Sequence, residues 1–125
     1  MGGGEAVIVA GLGCRRGCSA ADIVGAVQAA QALSGVLATT LAAPDWKRAE
    51  PGLLDAAARL GLPVAFVDQS ALLAVQHRCP TRSVVAQDAV GVGSVAEGAA
   101  LAASGGALLV PRLVQGGATC ALAGP

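Results

Sequence analysis

The chain has 125 residues, a length that suits one domain whose core is large enough to fold without disulfide bonds. Only 13% of the residues are charged and the formal net charge is zero, so the chain lacks the basic character of proteins that bind nucleic acid or anionic membranes. Apolar residues make up 54% but aromatic residues only 2%, which predicts a core of Ala, Val and Leu.

These features predict a single domain over residues 1–125, with residues 1–5 as a loose N-terminal tail. The tail lacks the charged-then-apolar pattern of a secretory signal, and no apolar run approaches the ~20 residues that span a bilayer. We therefore expect a cytoplasmic protein with no membrane or nucleic-acid partner.

The chain contains four cysteines and one histidine, His77. Cys14 and Cys18 are separated by three residues, which is not the C-x-x-C spacing of zinc ribbons or thioredoxin-like sites. We expect reduced, free thiols and neither a metal site nor a cofactor.

The first part of the chain predicts a strand, a helix and a second strand. Residues 6–10 form a short apolar run that ends in the glycine-containing residues 11–13, so a buried strand followed by a turn is predicted. Ser19 begins a helix in a variant of the capping box, and apolar residues then recur every three or four positions up to Gly35. Residues 36–41 are the second predicted strand.

The middle of the chain continues this alternation. Pro51 suits the first turn of a helix that ends at Gly61, and residues 64–67 are a third predicted strand. A short helix is predicted from Ser70, whereas residues 77–93 contain proline and glycine and are expected to be irregular.

The last third predicts one helix and two strands. Ser94 and Glu97 complete an S-x-x-E capping box before a helix that runs to about Ala103. The strands, residues 107–110 and 118–122, are joined by a short connection without a helix, which favours a hairpin. The expected fold class is therefore α/β, a three-layer α/β/α domain with a small, mixed, mainly parallel sheet of about five strands.

The loop at residues 11–19 is the first candidate binding site. It joins a predicted strand to a helix N-terminus, and its glycines and backbone amides suit an anion. Arg15 and Arg16 add guanidinium groups that match carboxylate or phosphate geometry. The alternative is that the glycines only form the turn and the arginines are solvated. The G-x-G-x-x-x-G spacing does not match the dinucleotide fingerprint.

Lys47, Arg48 and Glu50 follow the second predicted strand, so Lys47 and Arg48 would share the carboxyl edge of the sheet with Arg15 and Arg16. The alternatives are an ordinary solvated loop for Lys47 and Arg48, and a carboxylate favoured by the helix dipole for Glu50. Cys14, beside two arginines and a helix N-terminus, is predicted to have a lowered pKa, with a buried or idle cysteine as the more common alternative. Ser94 is not placed in a G-x-S-x-G nucleophile motif.

Five stretches of the sequence together resemble one protein family. They lie in one order along most of the chain and read GLGCRRG at residues 11–17, Lys47 with EPGLL at 50–54, LGLP at 60–63, VGVGSVAE at 90–97 and LLVP at 108–111. This pattern is similar to the family of CobE and the C-terminal domain of CbiG, which belongs to cobalamin (vitamin B12) biosynthesis.

The resemblance implies work on the corrin ring. CbiG-type proteins open a δ-lactone on a cobalt-precorrin and release acetaldehyde, whereas CobE belongs to the aerobic pathway. The leading interpretation is a carrier or accessory protein that binds a carboxylate-rich precorrin or corrin intermediate. The alternatives are a lactone or C–C hydrolase and a scaffold that contacts other cobalamin-biosynthesis enzymes. The sequence lacks a paired acid/base or nucleophile arrangement, which favours binding over hydrolysis.

The acetate and propionate groups of such a ligand would require several cationic and amide donors beside an apolar surface. The ligand-binding residues implied are Gly13, Cys14, Arg15, Arg16, Gly17, Lys47, Ser94 and Arg112. Arg112 stands where the family pattern commonly has lysine. If there is catalysis, the candidate residues are Glu50, Glu97 and Cys14.

Overall fold

The computed structural model describes residues 7–80 and 94–125. The predicted loose tail over residues 1–5 lies outside these ranges, as does most of the segment predicted to be irregular. Of that segment only residues 77–80 are described, and a short 3-10 helix covers Gln76–Arg78. In the described ranges no helix is both long and apolar enough to cross a membrane.

The strands of the described chain form one sheet. They are β1 (Val9–Cys14), β2 (Thr40–Pro44), β3 (Val64–Val67), β4 (Ala107–Gln115) and β5 (Ala118–Gly124). Their order across the sheet is β3-β2-β1-β5-β4. β1, β2 and β3 pair in parallel, whereas β5 runs antiparallel to both β1 and β4. All strands except β5 therefore point the same way, which confirms the predicted mixed, mainly parallel sheet.

Helices cover both faces of this sheet. In the part of the chain that the structure describes, the α-helices are α1 (Ala20–Ser34), α2 (Pro51–Leu60), α3 (Gln69–Ala74) and α4 (Val95–Ser104). Side chains alternate along β1, so Leu12 packs into the cluster under α1 and α2 while Val9 packs into the cluster under α3 and α4. The predicted α/β/α layering is confirmed.

Helix ends follow local capping chemistry. The Ser19 hydroxyl accepts a hydrogen bond from the Asp22 amide at 3.1 Å and starts α1 where predicted. Gly35 ends α1 in the left-handed conformation, at a φ of 75°. The start of α3 differs from the prediction, because the carboxylate of Asp68, rather than Ser70, accepts the first-turn amide of Ala71.

The turn predicted over residues 11–13 is wrong, because these residues belong to β1. Gly11 lies in β1 opposite α4, and a β carbon there would collide with the backbone of Ala96 and Ala100. The glycine thus serves close packing between strand and helix, a role that sequence alone does not separate from a turn.

Two further strand boundaries differ from the prediction. β2 begins at Thr40 because the preceding residues are held elsewhere: the Gln31 side chain accepts the Ala38 amide, and Thr39 exchanges hydrogen bonds with Ile8. β4 continues through Pro111, where the register with β5 shifts. A proline without an amide donor is tolerated there because β4 is an edge strand.

Replacing Gly11 with alanine tests the contact between β1 and α4. We expect Gly11→Ala to lower the free energy of unfolding by about 1–3 kcal/mol or more, because backbone atoms cannot yield easily to the added methyl group. Urea denaturation measures the change. Gly25→Ala in α1 is the matched control, since the atoms nearest to its methyl group would belong to the flexible Gln115 side chain and alanine favours the helix. Equal stability of the two variants would contradict the packing argument.

Candidate functional site

A pocket of about 620 Å³ opens at the carboxyl ends of β1 and β2. After β1 the chain forms α1 on one face of the sheet and then enters β2, which lies on one side of β1. α4 packs on the opposite face and leads to β4, which lies on the other side of β1. Ligands of open α/β sheets bind at this kind of switch in strand order. The N-terminus of α4 and the β4–β5 hairpin form the remaining walls.

The fold brings most of the predicted ligand-binding residues together. Those that line the pocket are Gly13, Cys14, Arg15, Arg16, Lys47, Ser94 and Arg112. They come from the ends of β1 and β2, the start of α4 and the edge strand β4. Gly17, Glu50 and Glu97 are not among the lining residues, because each is engaged elsewhere in the fold.

The cationic residues of the pocket have no carboxylate partner within residues 7–80 and 94–125. The ion pair in those ranges joins Arg59 to Asp55 at 3.0 Å on the surface of α2. Arg15 and Arg16 are exposed, whereas Lys47 and Arg112 are half-buried. Arg48, which was predicted to share this rim, does not line the pocket, and its guanidinium lies 4.7 Å from the centroid of the Phe66 ring.

The acidic residues near α1 bond to the chain's own backbone. The Glu50 carboxylate accepts the Gly17 amide at 2.7 Å, and the Asp22 carboxylate accepts the Gly117 amide at 3.1 Å. The Gly17 amide, predicted as a ligand donor, is therefore already engaged. These bonds tie the loop after β1 to α2 and tie α1 to the β4–β5 turn.

The predicted capping box at the start of α4 does not form. The Ser94 amide, which Glu97 would reach in such a box, donates instead to the side-chain oxygen of Gln76 at 2.9 Å. The Ser94 hydroxyl makes no capping hydrogen bond, and the carboxylate of Glu97 accepts the Arg112 amide at 2.9 Å. The reason is tertiary: Gln76 also donates to the carbonyls of Leu72 and Ser94 and so holds the start of α4.

The predicted lowering of the Cys14 pKa is wrong. Burial raises the pKa of the Cys14 thiol, and the nearby Lys47 ammonium opposes that rise only in part. Cys14 is therefore protonated at neutral pH. No group of three His, Cys, Asp or Glu side chains in the described ranges is placed to hold a metal ion.

The sequence analysis missed several residues of the pocket wall. Trp46 and Val114 are large apolar side chains with 41% and 60% of their surface exposed. Thr119 also lines the pocket and donates its hydroxyl to the Gly13 carbonyl at 3.3 Å. Trp46 adjoins Lys47 in the sequence, and a tryptophan beside a candidate cation was a usable signal. Val114 and Thr119 could not be placed without the pairing of β4 with β5.

Comparison with known proteins gives consistent matches. The family model described as the cobalamin synthesis G C-terminus matches residues 8–123. Protein CobE of Sinorhizobium sp. is 38% identical over 123 residues, which cover 94% of this chain and 80% of that protein.

Two solved structures are similar. The crystal structure of CobE, a protein from the cobalamin (vitamin B12) biosynthetic pathway, has a TM-score of 0.90 at 36% identity and covers 97% of this chain and 92% of that chain. The cobalamin biosynthesis protein chiG from Agrobacterium tumefaciens str. C58 has a TM-score of 0.75 at 42% identity, covering 94% and 97%.

The pH dependence of Cys14 alkylation tests the electrostatics of the pocket. We expect the iodoacetamide rate at Cys14, followed by peptide mass spectrometry, to reach its midpoint above the ordinary pKa of cysteine, because the thiolate forms only above the raised pKa. Lys47→Met should move the midpoint further upward, whereas Arg48→Met should not. A midpoint below the ordinary value, or equal shifts in both variants, would contradict this assignment.

Proposed function

Because the chain belongs to the cobalamin synthesis G C-terminus family, it is a cobalamin biosynthesis protein, and we propose that its pocket binds a carboxylate-rich precorrin or corrin intermediate. In this proposal the protein acts in the aerobic pathway as a carrier or accessory protein. The family is shared with CobE, to which the chain is similar in sequence and in structure.

The observation that carries the proposal is the convergence of unpaired cations beside an apolar wall. Within the described residues, Arg15, Arg16, Lys47 and Arg112 line one pocket without an ion-pair partner. Guanidinium groups bind carboxylates through paired, charge-assisted hydrogen bonds. Trp46 and the methyl groups of Val114 offer an apolar surface to a macrocycle. The volume of about 620 Å³ lies within the range of small-molecule sites.

The engagement of the candidate catalytic residues favours binding over hydrolysis. Glu50 accepts the Gly17 amide, and Glu97, fully buried, accepts the Arg112 amide. The Cys14 thiol is protonated at neutral pH because burial raises its pKa. The two carboxylates therefore have structural roles and the thiol is in its unreactive form. The cations of the pocket, by contrast, are not held in an ion pair within the described residues.

A visible-absorbance titration with purified precorrin intermediates, combined with product mass, tests the proposal. A saturable spectral shift without a change in ligand mass supports a carrier or accessory role. A new product mass would replace it with the hydrolase alternative. If neither the spectrum nor the ligand mass changes, the scaffold interpretation remains. That interpretation requires contacts with other cobalamin-biosynthesis enzymes instead of a ligand.

The paired variant Arg15→Ala/Arg16→Ala is expected to bind the intermediate about tenfold or more weakly for each charge-assisted bond that is lost. The same titration measures the loss. Arg48→Ala/Arg59→Ala removes equal charge outside the pocket, since Arg48 lies over Phe66 and Arg59 pairs with Asp55. If both double variants lost the same amount of affinity, general charge, and not the pocket arginines, would govern binding.

A further inference from the structure

Two helices begin beside the pocket, and their first-turn donors differ. At α1 the Ser19 hydroxyl caps the helix by accepting the Asp22 amide, and in the loop before the helix Glu50 accepts the Gly17 amide. At α4 no side chain caps the helix. The amides of Val95 and Ala96 lie in its first turn, where an α-helix provides no backbone acceptor for them. Val95 and Ala96 both line the pocket.

The Ser94 hydroxyl is a second and independent feature of this position. Ser94 lines the pocket and is 1% exposed, and its Oγ has no hydrogen-bond partner among residues 7–80 and 94–125. Its amide and carbonyl, by contrast, are both bonded to the Gln76 side chain, which fixes the residue. A buried hydroxyl without a partner is unfavourable in the free protein, so this donor is suited to an acceptor that a ligand brings.

We propose that the N-terminus of α4 binds one carboxylate of the ligand, with the Ser94 hydroxyl and the amides of Val95 and Ala96 as donors. The positive end of the helix dipole favours an anion there. The acidic residue of the same turn, Glu97, directs its carboxylate to the Arg112 amide on β4 and does not line the pocket.

This inference rests on the proposed function for the identity of the ligand, but the anion's position rests on α4 alone. It assigns separate tasks to two groups of donors. The exposed arginines at the rim meet the outer carboxylates of the ligand, while α4 holds one carboxylate at a buried position. The buried donors are fixed by the fold, so they select an ionised acid over its neutral ester at one place on the ligand.

Ser94→Ala is the discriminating variant, because it removes the hydroxyl and leaves the fold's other bonds in place. We expect it to raise the melting temperature of the free protein, since an unpartnered buried hydroxyl is lost. We also expect binding of uroporphyrin, a tetrapyrrole with acetate and propionate groups, to weaken by ~10-fold. The methyl ester of uroporphyrin should bind equally weakly to both proteins.

Ser104→Ala is the matched control at the other end of α4. The Ser104 hydroxyl donates to the Leu101 carbonyl and accepts the Gly106 amide, so its loss should lower stability without changing uroporphyrin affinity. A Ser94→Ala protein that binds uroporphyrin as tightly as the unmodified chain would overturn the proposal.

A malonate titration followed by amide NMR separates this inference from the proposed function. Malonate should shift the amide resonances of Val95 and Ala96 saturably, less in Ser94→Ala, and should leave Gly17 unshifted because Glu50 holds that amide. If these shifts occur and precorrins do not bind, the anion site stands and the proposed function fails. If precorrins bind and the α4 amides do not respond, the proposed function stands and the anion site is wrong.

Discussion

The backbone of α4 lies directly against β1, and the geometry of the pocket depends on this contact. Gly11 permits it, since any β carbon at that position would occupy the space of the Ala96 carbonyl. Gly13 serves a second contact, because a β carbon there would come within 2.6 Å of the Thr119 hydroxyl on the paired strand β5. With both contacts in place, the first turn of α4 stands over the carboxyl end of β1, where the pocket opens.

Hydrogen bonds to side-chain acceptors then set the shape of the pocket rim. Asp22 joins α1 to the β4–β5 turn at Gly117, and Glu97 joins α4 to β4 at Arg112. Glu50 joins the start of α2 to the loop after β1 at Gly17. Carboxylates are strong acceptors for backbone amides. Because the acids near the rim bond to backbone amides and, among the described residues, not to arginine or lysine side chains, the pocket cations have no ion-pair partner in that part of the chain.

Sequence patterns correctly predicted features that depend on neighbouring residues in the chain. They failed for features that depend on residues far away in the sequence. Ser19 and Gly35 bound α1 as predicted, since a cap depends on its own turn. Gly11 was interpreted as part of a turn, although the backbone of α4, far along the chain, is what excludes a side chain there. The capping box at Ser94 failed for a similar reason, because Gln76 takes the amide that the box requires. The gathering of pocket residues followed from the sheet pattern, whereas Trp46 and Thr119 were missed.

The direction of the Cys14 pKa shift is a second property that the sequence pattern predicted wrongly, because it depends on the fold. Neighbouring cations are visible in a sequence and lower a thiol pKa, but burial is a property of the fold and here it outweighs the Lys47 charge. Arg15 and Arg16, which suggested an activated thiol, are exposed to solvent, whereas the Cys14 thiol is half-buried. A half-buried, protonated thiol beside exposed guanidinium groups is a poor nucleophile, which agrees with the carboxylate binding proposed for this pocket.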